Sequence, residues 1–330
     1  MNQKSKGKKI IRGISKEFAE VFKKSELYRL YESHKNELII GVRNDYLNLY
    51  YNCDSIAKIN FTNSSISCEI DKYYLDGNHY KSGSKEKKYK IDQSTICRQY
   101  EKIKIHSNNK ATLEKKAQSK LVILNNKNSA SNWFCIDIEY VKAFNNAIEK
   151  AKANFSGRFD IIAISKEKPH KIALIELKYG SGAISGQSGI YKHVKDFIKF
   201  GEKGYFENHL RQEIIEIIKS QINLGINVPF NLPSLSDLLP PDFYFVTLDN
   251  NAKTQNASSP KQTMAGYLFK DKRWDCERLS KKYCVETDFG DITKKDNTFC
   301  ATFLFSKATI ENIEINDIID GQYDERIIPK

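Results

Sequence analysis

Two acids and a lysine near the ends of two apolar runs have the residue types and the spacing of a metal site. Asp160 opens the run DIIAI, and Glu176 and Lys178 close the next run, IALIELK. Side chains alternate between the faces of a strand, so Glu176 projects from the face that carries Ile172 and Leu174. The opposite face carries Ala173, Ile175 and Leu177. A carboxylate among apolar residues needs a compensating charge, and a divalent cation shared with Asp160 would supply it.

This order of an Asp on one strand and Glu-x-Lys on the next resembles the PD-(D/E)xK nucleases, the restriction-endonuclease-like superfamily. The resemblance covers residues 110 to 250. It implies an α/β core with a central mixed sheet flanked by helices, and a hairpin that presents Asp160 and Glu176 to Mg²⁺ or Mn²⁺. It also implies the backbone carbonyl of Leu177 as a further metal ligand, with Lys178 near the attacking water. Hard oxygen ligands suit these cations, which activate water near neutral pH.

Two further acids are candidates for the same site. The segment ATLEKKAQSKLVILNN predicts a helix, and its Glu114 resembles the glutamate that many superfamily members carry before the core sheet, which makes it a catalytic and metal-binding candidate. The run NWFCIDIEYV predicts a strand on which Glu139 is a second candidate. The predicted helix stripe is Leu113, Ala117, Leu121 and Leu124, and the predicted inner strand face is Ile136, Ile138 and Tyr140. The alternative for both acids is an ordinary place on the surface.

A glycine-rich segment after the motif leads into an amphipathic helix that carries Gln187, Tyr191 and His193. Gln187 and Tyr191 are four residues apart and therefore share a helix face. With the preceding motif, Gln-x-x-x-Tyr resembles the RecB-like branch of the superfamily, where these residues help to position the nucleic-acid strand. The alternative is a helix cap, a tyrosine at the edge of the core and a solvated histidine.

The positive charge is concentrated in the first part of the chain. The net charge is +12, and residues 1–130 contain 26 Lys and Arg against 14 Asp and Glu, whereas the other residues contain 27 of each. Clustered lysines attract a phosphate backbone and give salt-dependent binding. Lys85, Lys87, Lys88 and Lys90 are therefore the predicted nucleic-acid contacts, and a solvated surface is the alternative.

The first predicted domain, residues 1–108, combines a basic N-terminal helix with a β-rich module. Apolar spacing predicts the helix over 14–36, and alternating runs predict strands within 37–105. A mobile lysine-rich loop is expected near 81–90.

The second predicted domain, residues 109–330, is the nuclease-like part with a C-terminal extension that contains strands. An isoleucine-rich band predicts a helix over 206–224, and DFYFVTL predicts the next core strand. MAGYLFK and NTFCATFLF are the strands predicted for the extension.

Composition excludes several classes of protein. Seven cysteines without a C-x-x-C pair predict neither disulfides nor zinc nor an iron-sulfur cluster. No apolar stretch reaches membrane length, and the first residues lack the apolar core of a secretory signal, so we expect a cytoplasmic protein with no membrane partner.

The sequence thus predicts a Mg²⁺-dependent nuclease that hydrolyses DNA, in defence against foreign DNA or in repair. One alternative is a catalytically silent protein that binds nucleic acid. Another is an RNA-directed or ligand-gated nuclease whose N-terminal module acts as a sensor. The sequence leaves open whether DNA or RNA is cut, whether cleavage is internal or terminal, and whether the chain acts as a homodimer or with a partner protein.

Overall fold

The chain forms an α/β structure in which helices flank one antiparallel sheet and one mixed sheet. The computed structural model describes residues 12–80, 87–142, 144, 149, 157–179 and 190–248. Near the C-terminus it describes the short segments 283–285, 292–294, 301–305, 315–319 and 325–327.

The N-terminal helical region is divided into two helices, α1 (Lys16–Lys23) and α2 (Glu26–Ser33). The single helix predicted over 14–36 is therefore wrong. The side chain of Ser25 accepts a hydrogen bond from the backbone N–H of Tyr28, as Ser15 does from Phe18 at the start of α1. A serine that satisfies free N–H groups in this way favours a new helix start over continuation of the old helix.

The first sheet is an antiparallel meander whose five strands pair in chain order. Its elements are β1 (Leu38–Val42), β2 (Tyr46–Tyr51), β3 (Asp54–Thr62), β4 (Ser65–Asp71), the short helix α3 (Tyr73–Asp76) and β5 (Lys88–Ile91). The lysine-rich loop predicted near 81–90 is thus a strand from residue 88 onwards. Lys88 stands opposite Asp71 and Lys90 opposite Glu69, and such oppositely charged pairs stabilise neighbouring strands.

Three helices lead from this sheet to the second one, and α6 packs directly on the strands of the second sheet. They are α4 (Gln93–Arg98), α5 (Tyr100–Lys110) and α6 (Leu113–Lys127). Ala117 and Leu121 of α6 are buried as predicted, whereas Leu113 is 55% exposed because it lies in the first turn of the helix.

The second sheet is mixed and has the strand order β13-β12-β9-β8-β7-β6. Strands β6 to β8 are antiparallel, β9 runs parallel to β8, β12 parallel to β9, and β13 is antiparallel to β12. The strands of this sheet are β6 (Trp133–Val141), β7 (Arg158–Ser165), β8 (His170–Tyr179), β9 (Leu238–Leu248), β12 (Ala301–Phe305) and β13 (Glu325–Ile327). A separate antiparallel pair is formed by β10 (Tyr283–Val285) and β11 (Ile292–Lys294).

Two helices join β8 to its parallel neighbour β9. They are α7 (Ile190–Glu202) and α8 (Arg211–Asn223), with a π-helical turn (Phe206–Leu210) before α8 and a 3₁₀ turn (Leu235–Asp237) before β9; α9 (Ile315–Ile319) lies near the C-terminus. The predicted strand DFYFVTL is confirmed, and NTFCATFLF is confirmed over ATFLF, its described part. MAGYLFK lies outside the described residues.

The alternation predicted for β8 is confirmed, because its two faces belong to two different apolar clusters. Ile172 and Leu174 pack with residues of α7, α8 and β9, and their cluster continues into the N-terminal sheet and helices. Ala173, Ile175 and Leu177 pack with α6. Residues on both sides of the predicted 108/109 boundary therefore share one continuous core.

Strand β6 departs from the predicted alternation. Ile136 and Tyr140 belong to one cluster but Ile138 belongs to the other. The pairing of β6 with β7 shifts between Cys135 and Asp137, and Glu139 has a φ of 49°. The register shift at Asp137 and the positive φ of Glu139 both interrupt regular alternation, and Ile138 therefore does not share a face with Ile136 and Tyr140.

Among the helices in the described part of the chain, none is long and apolar enough to cross a membrane.

Candidate metal centre

Strands β7 and β8 pair over four residues each and then separate at the end that carries the predicted acids. Their register runs from Ile164 opposite Ile172 to Ile161 opposite Ile175. Beyond that point β7 continues against β6 only, and β8 continues against β9. The separation leaves the backbone of Leu177 available to side chains instead of to a neighbouring strand.

The carboxylate of Asp160 bridges the two separated strands. Its Oδ2 accepts a hydrogen bond of 2.7 Å from the backbone N–H of Leu177. Part of Asp160 remains accessible to solvent. The surrounding protein nevertheless removes water from the carboxylate, and this desolvation raises the pKa of Asp160 to about 7. The positive charge of Lys178 opposes this shift, and the negative charge of Glu139 adds to it.

Glu176 is 2% exposed and lies at the centre of the cluster. Its Oε1 accepts a hydrogen bond of 2.6 Å from Nζ of Lys178 and lies 3.1 Å from Nε2 of His193 on α7. Its Oε2 is buried and has no hydrogen-bond partner among the described residues. Burial holds the pKa of Glu176 well above its usual value, and the negative charge of Asp160 adds to this shift.

Lys178 brings an ammonium group into this acidic environment. Besides its bond to Glu176, Nζ donates a hydrogen bond of 3.1 Å to the carbonyl of Leu177 and lies 3.6 Å from Oε1 of Glu114. Burial alone would lower the pKa of Lys178, but attraction to Glu176 and Asp160 raises it above its usual value. The ammonium group is therefore charged at neutral pH.

Glu139 lies on β6 within electrostatic reach of Asp160. Burial raises the pKa of Glu139, and the positive charges of Lys115 and Arg43 oppose the shift. The role of Glu139 as an outer carboxylate stays a prediction.

The structure brings together six of the predicted groups: the side chains of Asp160, Glu176, Lys178, Glu114 and His193, and the backbone of Leu177. His193 was predicted to face nucleic acid, and its described contact is with Glu176 instead. Gln187 and the side chain of Tyr191 lie outside the described residues, so their predicted roles stay predictions.

The predicted lysine contacts belong to the other sheet. Lys88 and Lys90 are exposed on β5, and Lys87 lies 3.7 Å from Asp71. Lys85 falls outside the described residues. Their role in binding nucleic acid stays a prediction.

Sequence reasoning missed Gln118 of α6. It is 1% exposed, and its Nε2 donates a hydrogen bond of 2.5 Å to the backbone carbonyl of Asp160. The available signal was a polar residue three positions before Leu121, on the face of the helix that packs against the sheet. Gln118 fixes the backbone that carries the Asp160 carboxylate.

The donor set fits a hard divalent cation, although it is smaller than predicted. Within the described ranges, no three or more His, Cys, Asp or Glu side chains are arranged to hold a metal ion. What is present is the buried carboxylate of Glu176, the partly exposed carboxylate of Asp160 and the backbone carbonyl of Leu177, and Oε2 of Glu176 has no hydrogen-bond partner among the described residues. Oxygen atoms of this kind suit Mg²⁺, which takes one or two carboxylates and completes its shell with water and substrate.

A cavity of about 410 Å³ lies elsewhere, between the N-terminal helices, β1 and the outer edge of β6. None of its described lining residues is one of the predicted site residues. The cluster of charged groups lies instead at the separated ends of β7 and β8, and clusters of this kind mark functional sites.

Comparisons with protein-family models, with curated proteins and with solved structures find no match to this chain.

Proposed function

We propose that the chain is a nuclease that hydrolyses phosphodiester bonds of DNA with Mg²⁺ or Mn²⁺. The observation that carries the proposal is the meeting of the partly exposed Asp160 and the buried Glu176 at the separated ends of two neighbouring strands, with the ammonium of Lys178 against Glu176. Desolvation raises the pKa of both acids, and carboxylates placed in this way reduce stability. Such groups cluster at functional sites, where a bound cation offsets their charge.

The arrangement of the second sheet supports the same proposal. Helix α6 precedes the antiparallel strands β6, β7 and β8, and α7 and α8 then lead to the parallel strand β9. A mixed sheet flanked by helices, with the acids on a hairpin, is what the resemblance to restriction-endonuclease-like enzymes implies. We therefore include this fold in the proposal.

The residues divide the chemistry between them. Asp160, Glu176 and the carbonyl of Leu177 would hold the cation, which when bound stabilises negative charge on the phosphate and makes water a stronger nucleophile. The N–H of Leu177 orients Asp160, and His193 orients Glu176. Lys178 would hold the attacking water or balance the charge that develops on the phosphate oxygens.

A nucleic-acid substrate is proposed because the chain is strongly basic in its first part, and DNA is favoured on the resemblance to restriction-endonuclease-like enzymes. Exposed Lys88 and Lys90 on β5 add to the positive potential that would attract a phosphate backbone. This term does not depend on base sequence, so we expect binding that weakens steeply as salt increases.

The first prediction tests cleavage directly. The purified chain is incubated with circular single-stranded DNA, linear duplex DNA and RNA in the presence of Mg²⁺ or Mn²⁺. We expect cleavage of DNA by the wild type, and a loss of at least about a hundredfold in Glu176→Gln and Asp160→Asn, because each substitution removes a negative metal ligand. The matched control is Glu167→Gln, since Glu167 is an exposed acid in the turn of the same hairpin and should be dispensable.

Three other outcomes have distinct meanings. Equal turnover by the wild type and Glu176→Gln would end the nuclease proposal. Tight DNA binding without cleavage by the wild type would favour the catalytically silent alternative. Cleavage confined to RNA would keep the chemistry and change the substrate class.

A further inference from the structure

The ammonium of Lys178 lies among the oxygen atoms that a divalent cation would use. Nζ is 2.6 Å from Oε1 of Glu176, 3.1 Å from the carbonyl oxygen of Leu177 and 3.6 Å from Oε1 of Glu114. All three are hard oxygen donors, and two of them belong to carboxyl groups. Lys178 itself is 5% exposed, so its ammonium has exchanged hydration water for protein oxygen.

A divalent cation and this ammonium cannot share these oxygen atoms in their present positions. Mg²⁺ approaches its oxygen ligands to about 2.0–2.1 Å and requires a nearly octahedral arrangement around it. A cation at that distance from Oε1 of Glu176 or from the Leu177 carbonyl would lie beside a buried positive charge. Their repulsion is strong because little water lies between them to screen it.

One oxygen of the cluster is not engaged by the ammonium. Oε2 of Glu176 is buried and has no hydrogen-bond partner among the described residues, whereas Oε1 carries both the Lys178 bond and the His193 contact. An incoming cation therefore has an open ligand atom on the same carboxylate before Lys178 leaves.

Resting on the nuclease function proposed above, we propose that Lys178 is the resident cation of the metal-free site and that a divalent cation binds by displacing its ammonium from Glu176 and Leu177. The released ammonium then becomes available to the attacking water and the phosphate. Lys178 is in this way both a competitor of the metal and a positioning group that reaches its working place only after the metal has bound.

Competition of this kind has a measurable consequence without any substrate. Removing the ammonium should raise the affinity of the site for metal, because the cation no longer has to displace a bound charge. It should also lower the melting temperature of the metal-free chain, because Glu176 and Asp160 lose their buried positive partner.

The test measures Mn²⁺ binding by isothermal titration calorimetry, together with the melting temperature, for the full chain and three variants. In Lys178→Met we expect the Kd for Mn²⁺ to fall about tenfold, within the usual range of coupling between two sites. The rise in melting temperature on saturation with Mn²⁺ should exceed that of the wild type. Lys171→Met, which removes an exposed lysine from the same strand, should match the wild type. Glu176→Gln should bind Mn²⁺ far more weakly.

The outcomes separate this inference from the proposed function. If the wild type binds Mn²⁺ through Glu176 but Lys178→Met binds it equally or more weakly, the displacement is wrong and the metal site stands. If neither the wild type nor Lys178→Met binds Mn²⁺, or if Glu176→Gln binds as well as the wild type, the metal site and the displacement both fail. Should Lys178→Met not fold, Lys178→Gln provides the same comparison, since its amide can still donate a hydrogen bond to Glu176.

Discussion

Glu213 of α8 is a buried acid outside the candidate site, and it makes one part of the stability pH-dependent. It is 4% exposed, and its Oε2 accepts a hydrogen bond of 2.6 Å from the hydroxyl of Tyr140. Burial raises the pKa of Glu213, although the Tyr140 bond and the charge of Arg12 oppose the shift. The folded chain therefore holds this proton to a higher pH than the unfolded chain does.

The sign of the effect follows from that difference. Where the folded state binds more protons than the unfolded state, the free energy of unfolding decreases as pH rises. For Glu213 the loss begins near its unfolded pKa, about 4.3, and is complete above its higher folded pKa. Glu213→Gln cannot ionise and can still accept the Tyr140 bond. We therefore expect Glu213→Gln to gain stability relative to the wild type between pH 4 and pH 8.

Urea unfolding of the wild type and of Glu213→Gln at pH 4 and at pH 8 measures this gain. The contributions of titrating groups that both proteins share cancel in the difference. A gain that is absent, or of opposite sign, would mean that Arg12 outweighs burial at this position.

At the same scale, the sequence predicted the central residues of the candidate site because each one interrupts an apolar pattern. Glu176 and Lys178 stand at positions where alternation calls for apolar side chains, and Asp160 opens an apolar run. The contact of His193 with Glu176 and the bond from Gln118 to the Asp160 carbonyl were not predictable. They depend on how α6 and α7 lie across the sheet, which local spacing does not determine.

At the scale of single elements, the positive φ of Glu139 in β6 leads to a prediction about backbone strain. Glu139 has a φ of 49°, in a region that glycine enters freely and β-branched residues avoid. Glu139→Gly should therefore be at least as stable as Glu139→Val, with an expected difference in the free energy of unfolding of about 1–3 kcal/mol in favour of glycine. Denaturant unfolding of the two variants measures it.

The matched control reverses the order of the two residues. Ser67 is an exposed position in β4, where the pairing with β3 has no register shift and valine should be more stable than glycine. If the valine variant is more stable than the glycine variant at position 139 as well, the assigned backbone conformation of Glu139 is contradicted.

Element boundaries could be predicted where the apolar pattern of the sequence continued. They could not be predicted where a single residue changed the course of the backbone. Strand β8 follows the predicted alternation throughout. Nothing in the run NWFCIDIEYV marks the register shift, so this shift and the change of face at Ile138 were not predicted. Likewise Ser25 resembles any polar helix residue until its side chain is seen to cap α2.

At the scale of the whole molecule, a buried ion cluster joins the N-terminal region to the second sheet. Asp137 on β6 is paired with Arg12 at 2.7 Å and with Arg43 at 2.6 Å. Arg43 also donates to the hydroxyl of Tyr50 and to the carbonyl of Ile138. Asp137→Ala would leave two buried guanidinium groups without a carboxylate, and we expect it to cost about 3–5 kcal/mol of stability.

The control for this prediction is the surface pair of Lys35 and Glu32, which are 3.0 Å apart. Glu32→Ala should cost no more than about 1 kcal/mol, because exposed ion pairs contribute little. Denaturant unfolding followed by circular dichroism and by tryptophan fluorescence checks both values. Similar costs for the two substitutions would show that the buried cluster does not join the two regions energetically.

The bonds between the N-terminal region and the rest also affect the order of events during synthesis. Arg12 pairs with a residue 125 positions later, the hydroxyl of Tyr28 bonds to a carbonyl 196 positions later, and the amide of Ile14 bonds to a serine 206 positions later. At about 5–20 residues per second, a ribosome needs roughly 10–40 s to supply the most distant of these partners. During that interval Arg12 and the apolar face of the nascent N-terminal region lack the neighbours that surround them in the folded chain. We therefore expect this N-terminal region to reach its native contacts later than the strands that follow it, and to depend on chaperones more than they do.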